Sequence, residues 1–338
     1  MKVDGMLGGL EFDEVIRTVR ELEELGYDGA FTAETSHDPF LPLAIAAEHT
    51  DRIQLGTSIA VAFARNPMTL ANIGHDLQVL SKGRFVLGLG SQIKPHIEKR
   101  FSMPWSHPAA RMRELVLATR AIWACWNEGE PLSFRGDFYQ HTLMTPLFQP
   151  GASPYGPPKV FLAAVGELMT EVAGEVADGL LLHGFTTERY VREVTLPALE
   201  RGLKRAGKQR SDIELAGPLF VITGENEEAM AAAVDGAKRH IGFYGSTPAY
   251  RPVLDLHGWG DLQDELNVLS KQGKWAEMGE LIDDDVLRTF AVIAPPDEVP
   301  RALIERYGEI VDRVHFSVPP GTDRERWKHV LAEFKQTA

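Results

Sequence analysis

The chain has 338 residues, with 35 Lys plus Arg against 48 Asp plus Glu, a formal net charge of −13. Hydrophobic residues at 44% and charged residues at 25% are globular averages, which excludes disorder over the whole chain. The acidic balance excludes a duplex-binding face, and one cysteine, Cys125, excludes an internal disulfide and a thiolate metal site.

Short β-like runs alternate with amphipathic stretches. Met1–Leu7 reads as a weak first strand, followed by a helix striped with Phe12, Val15, Ile16, Val19 and Leu22 and ending at Gly26. Asp28–Ala33 is a second strand and Pro42–His49 a short helix. Ile53–Val61 is a third strand; Asn66-Pro67 then opens a helix with Leu70, Ile73, Leu77 and Leu80 inside, closed by Gly83. Arg84–Leu89 is the fourth strand, and Met112, Leu115, Val116, Ile122, Trp123 and Trp126 line its helix. After a Pro-rich excursion come strands at Lys159–Ala164 and Gly179–Leu182, with helices at Leu168–Val176 and Thr187–Ala206, the latter kinked at Pro197. Leu219–Thr223 is predicted as strand seven and Val314–Val318 as strand eight. The capping box Thr322…Glu325 opens a last helix with Trp327, Leu331 and Phe334 inside.

Eight β–α pairs without an evident linker predict an α/β fold: a single (β/α)8 TIM barrel over residues 1–338. Two open doubly wound domains are the alternative. The excess over a bare barrel falls at about 91–108, 128–158 and 243–300. The first and third stretches follow strands four and seven, on the face where barrel enzymes keep their sites. The third reads as an extended loop or small helical cover. The start Met1-Lys2-Val3-Asp4-Gly5 shows no apolar leader, and no run nears the ~18 residues of a membrane span. A cytoplasmic protein with no membrane or nucleic-acid partner is expected.

In such a barrel the residues just after each strand face the site. Here they are Gly8-Gly9, Glu34-Thr35-Ser36-His37-Asp38, Ser58-Ile59-Ala60-Val61, Gly90-Ser91-Gln92, Val165-Gly166-Glu167, His183-Gly184-Phe185, Thr223-Gly224 and Ser317. No His-x-His or HExxH occurs and His37 and Asp38 are adjacent with opposed side chains, so no metal is expected. Glycoside hydrolysis needs two carboxylates across a cleft, and only Glu34 sits at a strand end. Gly88-Leu89-Gly90-Ser91 does not supply a nucleophile elbow, and Gly88-x-Gly90 lacks the third glycine of a dinucleotide fingerprint. What remains is small residues, amides and hydroxyls, which together form a floor that a flat ring can approach. Gly166 at a helix start offers bare N–H groups to a phosphate, or simply makes a tight turn.

Leu55-Gly56-Thr57-Ser58-Ile59-Ala60-Val61 with Arg65-Asn66-Pro67 resembles the third-strand segment of luciferase-like hydride transferases and monooxygenases. Gly83-Arg84-Phe85-Val86-Leu87-Gly88-Leu89-Gly90-Ser91 resembles their fourth strand, and Glu175-Val176-Ala177-Asp178-Gly179 their turn into strand six. The resemblance spans almost the whole chain and is weaker in the insertions; it is nearest to actinobacterial deazaflavin-dependent oxidoreductases.

The resemblance implies a barrel that binds coenzyme F420, a deazaflavin, or alternatively FMN. It implies hydride transfer between the deazaflavin and a small organic substrate, with an FMN-dependent monooxygenase or a non-catalytic flavin-binding relative as alternatives. A metal-free hydrolase or isomerase on the same fold is an outside alternative. It also implies a non-prolyl cis peptide at Ser58-Ile59, with Ser58, Ile59 and Ala60 backing the ring. Ser91 and Gln92 would meet the ring or ribityl chain, and Ala164, Val165 and Gly166 the phosphate side. Glu34 takes the acidic place beside the coenzyme, and either Glu34 or His37 handles the proton. His96, Trp105 and His183 are the substrate-side candidates, and a homodimer is expected. The sequence departs from the family's sugar-phosphate dehydrogenases: His37 stands three residues after Glu34, and Ile93 replaces a Glu after strand four. A polyanionic coenzyme on an acidic chain needs local bases, for which Arg65, Lys94 and Arg100 are available.

Overall fold

A computed structural model describes residues 1–7, 11–217, 220–316 and 323–336. The expected Gly8-Gly9 turn, the Leu219 start of strand seven, the Ser317 and Val318 end of strand eight and the Thr322 cap lie outside the described residues. The chain divides into two compact units. The larger comprises Asp4–Leu181 and Ala198–Glu214; the smaller comprises Met1–Val3, Leu182–Pro197 and Leu215–Ala338.

The larger unit is built on parallel strands: β1 (Lys2–Met6), β2 (Gly29–Thr32), β3 (Gln54–Thr57), β4 (Ala60–Val61) and β5 (Phe85–Gly90). A small antiparallel pair, β6 (Phe134–Arg135) and β7 (Gln140–His141), precedes β8 (Lys159–Ala164) and β9 (Gly179–Leu182). Asp4, Gly5 and Met6 of β1 face Gly29, Ala30 and Phe31 of β2, and β2 pairs with β3 in the same sense. β5 pairs with β3, β4 and β8, and β9 lies next to β8. Every residue of β2, β5 and β9 is buried, the near-continuous apolar reading of parallel strands covered on both faces. The predicted stripes face inward through Val15, Val19 and Leu22 on helix Phe12–Leu25, and Met112, Leu115, Val116, Ile122, Trp123 and Trp126 on helix Pro108–Glu128, whereas Phe12, placed in the first stripe, is exposed at the helix start and Ile16 is half-buried. Helix Pro67–Leu80 opens as the sequence indicates, with Asn66 and Thr69 closing a reciprocal capping box. The Trp123 indole N–H donates to the Ala71 carbonyl at 3.1 Å and ties these last two helices together.

In the smaller unit β10 (Glu214–Gly217) pairs in parallel with β13 (Arg313–His315), while β11 (Phe220–Ile222) pairs with β12 (Ala291–Ile293). This corrects the placement of strand seven. The run predicted at Leu219–Thr223 joins β12, and the neighbour of β13 is the shorter, Glu-headed segment just before it. Periodicity favours the more apolar run, Phe220-Val221-Ile222, and carries no information on which strand it will pair with. The stretch 243–300 is largely helical, at Arg251–Leu256, Gly260–Lys271, Trp275–Glu280 and Asp284–Phe290. Ile241, Leu254, Leu266, Met278, Leu287 and Phe290 pack in one core there. A π-helical turn at Val191–Thr195 precedes Pro197, where the kink is expected. Among the described residues no helix is long and apolar enough to cross a membrane.

Candidate active site

Glu34, just past β2, brackets the link between β3 and β4. Its backbone N–H donates to the Ile59 carbonyl at 3.0 Å, and its Oε2 accepts the Val61 N–H at 2.7 Å. The Ser58 N–H donates to the Thr32 carbonyl at 2.6 Å. Between these three bonds lies the Ser58-Ile59 peptide, which is cis and not followed by proline, as the resemblance implies. Arg65 Nη1 donates to Glu34 Oε2 at 2.6 Å and Arg65 Nη2 to Asp38 Oδ2 at 3.0 Å. The Glu34 side chain is only 7% exposed. Glu34 is thus fixed by a charge-assisted pair and a backbone donor, and Arg65 is committed to two carboxylates instead of standing open to an anion.

Thr57 locks β3 against β5. Its Oγ1 donates to the Gly88 carbonyl at 2.6 Å and accepts the Gly88 N–H at 2.9 Å. A Cβ at Gly88 would stand 1.8 Å from the Thr57 carbonyl oxygen, so only glycine permits this approach. Ala60 is buried beside them, with Ser58 and Ile59 half-buried.

The ends of β5 and β8, which are neighbours, carry Ser91-Gln92 and Ala164-Val165-Gly166. Gln92 sits in the left-handed region with φ 59°, its side-chain oxygen accepting the Ile93 N–H at 3.1 Å. Ser91 Oγ donates to the Gln92 carbonyl at 3.1 Å. Gly166 caps helix Glu167–Val176 without a side-chain bond to the first turn. A Cβ on Gly166 would meet nothing within 4 Å, and that helix start is open. Glu167 pairs with Arg201 Nη2 at 2.6 Å, which engages its charge with a partner on the flank. Small residues, a primary amide, a hydroxyl and unblocked helix N–H groups are a donor set that fits a flavin-type ring and its phosphate.

His37 is exposed, its ring edge-on to Phe12 at 6.3 Å, and among the described residues it makes no hydrogen bond. His96 is exposed in a π-helical turn, His96–Arg100. Trp105 stands edge-on to Phe63 at 5.6 Å, and Phe63 in turn lies under the Arg111 guanidinium at 5.0 Å. Lys94 pairs with Glu98 at 3.8 Å, and Arg100 donates to the Thr35 carbonyl. Cys125 is buried and free. All these residues belong to the larger unit.

His183 belongs to the smaller one. Its Nδ1 accepts the Phe185 N–H at 3.0 Å, which puts the proton of the neutral ring on Nε2, 3.1 Å from Tyr250 Oη. The ring stacks on Tyr250 at 4.5 Å and meets Tyr244 edge-on at 4.8 Å. Burial among these rings drops the His183 pKa to about 4 and lifts Tyr250 to about 12. Tyr244 and Tyr250 were not among the expected residues, and no local spacing in the sequence marks them. Among the described residues no three His, Cys, Asp or Glu side chains come together as a metal ion requires.

The chain is similar in structure to the coenzyme F420 dependent tetrahydromethanopterin reductase of Methanopyrus kandleri, with a TM-score of 0.81 and 21% identity over 99% of each chain. That likeness shows the fold: the class is the (β/α)8 barrel the sequence predicts. In sequence it is 59% identical over 293 residues to an uncharacterized protein of Mycobacterium tuberculosis (strain ATCC 25618 / H37Rv), covering 87% of this chain and 86% of that one. It is 26% identical over 332 residues to the 5,10-methylenetetrahydromethanopterin reductase of Archaeoglobus fulgidus, covering 94% and 93%. The luciferase-like monooxygenase profile matches residues 1–313. The chain belongs to that family, whose members are oxidoreductases or monooxygenases.

Proposed function

We propose that the protein is a coenzyme F420-dependent oxidoreductase that passes a hydride between the deazaflavin and a small organic substrate. The observation that carries this reading is the pairing of β5 with β8, whose adjoining ends present Ser91, Gln92, Ala164, Val165 and Gly166 together. The reductase names of the Archaeoglobus fulgidus and Methanopyrus kandleri relatives support it, the latter stated to be F420 dependent.

When bound, the deazaflavin supplies a two-electron hydride carrier. The N–H groups of the first turn after Gly166 would receive the phosphate, helped by the helix dipole. Ser91 and Gln92 would meet the ring or ribityl chain, with Ser58, Ile59 and Ala60 behind it. Glu34, tied to Arg65 and the Val61 N–H, acts as the brace of this wall. His37 is then the group that takes or gives the proton, since its imidazole is exposed and has no hydrogen-bond partner among the described residues. His96 and Trp105 in the larger unit, and His183 in the smaller, are proposed for the substrate.

Fluorescence titration of the apo protein with F420 and with FMN tests the reading. A micromolar or tighter F420 complex and a weaker FMN complex are expected. Stoichiometric FMN retained through purification would overturn it in favour of a monooxygenase.

A further inference from the structure

The smaller unit holds a hydrogen-bond donor whose proton is unspent. Because His183 Nδ1 accepts the Phe185 N–H, the neutral ring carries its proton on Nε2 and donates it to Tyr250 Oη. Burial keeps His183 neutral, with its pKa lowered to about 4, and keeps the Tyr250 hydroxyl protonated, pushed up to about 12. The Tyr250 O–H therefore cannot point back at His183. Among the described residues it meets no other acceptor, and its ring is only half-buried.

No charge competes for that donor. Residues 183–187 and 241–250 contain no Lys, Arg, Asp or Glu. Burial alone lowers His183, and besides burial only Tyr244 acts on Tyr250, so among the described residues no ion faces the pair. Arg251, the next residue, is turned to Asp255 and Asp264 at 3.5 and 2.8 Å. The surroundings are rings instead. Tyr244 meets His183 edge-on, Phe243 lies 5.4 Å from Tyr244, and Trp275 lies 6.0 Å from Phe243. Phe243 and Trp275 are 50% and 52% exposed, an aromatic shelf open to a flat ligand.

The donor is also rigidly mounted. The Ser246 carbonyl accepts Asn267 Nδ2 at 2.8 Å and Gln263 Nε2 at 3.4 Å. These bonds fix the corner between helix Glu227–Gly245, which carries Tyr244, and the turn Pro248–Tyr250. Gly245 keeps that corner tight, because a Cβ there would stand 2.8 Å from Leu266 Cδ1 and 3.4 Å from the Phe185 ring. A donor set in advance loses little entropy when a ligand takes its proton.

We infer that Tyr250 donates a hydrogen bond to the oxygen of an uncharged, planar carbonyl compound, with His183 as its positioning residue and the rings of Phe243 and Trp275 beside the ligand. The inference rests on the assignment of His183 to the substrate side, and it adds the donor and the class of substrate. An anion would sit among these rings without a counter-charge, and a hydrocarbon would leave the O–H unpaired. A carbonyl oxygen on a flat, neutral body meets both conditions.

Titration of the coenzyme-free full chain with acetophenone and with benzoate, followed by proton NMR of the ligand, is the test. Acetophenone should bind with a Kd of about 1 mM or tighter. Benzoate, of similar size but anionic, should bind at least about tenfold more weakly. Tyr250→Phe should weaken acetophenone binding about tenfold and leave F420 affinity as it is. His183→Phe, which keeps a ring but removes the donor to Oη, should weaken it about threefold. In 15N spectra of the histidine rings, the signal lost in His183→Phe should report a protonated Nε2. It should shift when acetophenone is added to the wild type and stay still in Tyr250→Phe, a response that a merely structural histidine would not give. No acetophenone binding by the wild type, benzoate bound as tightly, full acetophenone affinity in Tyr250→Phe, or loss of F420 affinity in that variant would each overturn the inference. A wild type that binds acetophenone through Tyr250 but no F420 would refute the coenzyme assignment and uphold this one.

Discussion

Past β2, β5 and β8 polar groups are held by ions and backbone, whereas His183 is held by one backbone N–H and enclosed by rings. Glu34 is held by Arg65 Nη1 and the Val61 N–H, which both donate to its Oε2. His183 gives up its charge because Tyr244 and Tyr250 exclude water from it. The first arrangement neutralises a carboxylate pair with one guanidinium and a backbone donor; the second keeps a donor pair neutral over the working pH range. Each arrangement lies within one unit.

The sharpest way to break the contrast is at His37, which neither arrangement holds. His37→Ala should lower kcat by roughly 100- to 10,000-fold on any substrate the wild type turns over. Coenzyme affinity should change by less than about tenfold, or ~1.4 kcal/mol. Near-normal turnover across the pH range would remove the assignment, and a large loss confined to Glu34→Gln would transfer it.

The ring-held side is tested by acid. The folded His183 pKa of about 4 lies below the ordinary 6.5, so the unfolded chain binds the proton first. Its stabilisation is therefore full above pH 6.5 and is lost as pH falls toward 4, by up to about 3 kcal/mol. Urea unfolding of wild type and His183→Gln at several pH values isolates this share as a difference. A difference that does not change between pH 7 and 4.5 would refute it.

The ion-held side is tested by Glu34→Gln, which leaves hydrogen bonding possible but removes the charge opposite Arg65. A loss of about 2 kcal/mol in unfolding free energy is expected. Equal stability in both proteins would show that Arg65 is satisfied by Asp38 alone. The smallest effect expected is at the open helix start. Gly166→Asp should weaken F420 binding about tenfold by opposing the phosphate. Gly166→Ala should leave it nearly unchanged, since the added Cβ meets nothing within 4 Å. Equal losses for both would mean that space, not charge, governs the position.

What the sequence revealed and what it hid follow from range. The stripes of helices Phe12–Leu25 and Pro108–Glu128 and the cap at Asn66 are local patterns, and they fold as read except at Phe12, which the first turn leaves exposed. The Ser58-Ile59 link was legible through family resemblance, since no local pattern specifies it. The strand beside β13 was missed because pairing is decided by distant partners, not by which run is most apolar. Arg65 was legible as a base, yet its two carboxylate partners arrive from residues 34 and 38. His183, Tyr244 and Tyr250 share no local spacing, so the stack they form has no period to detect.

The lock between Thr57 and Gly88 bears on how this barrel can diversify. Because any side chain at 88 would run into the Thr57 carbonyl, β3 and β5 cannot be spread to admit a wider ring or a bulkier wall. Thr57 gives and takes a hydrogen bond with the same residue, so neither position can vary unless the other does. Descendants of this sequence, natural or selected in a library, are therefore expected to acquire new substrates through the loops after β5 and β8, with positions 57 and 88 left as they are.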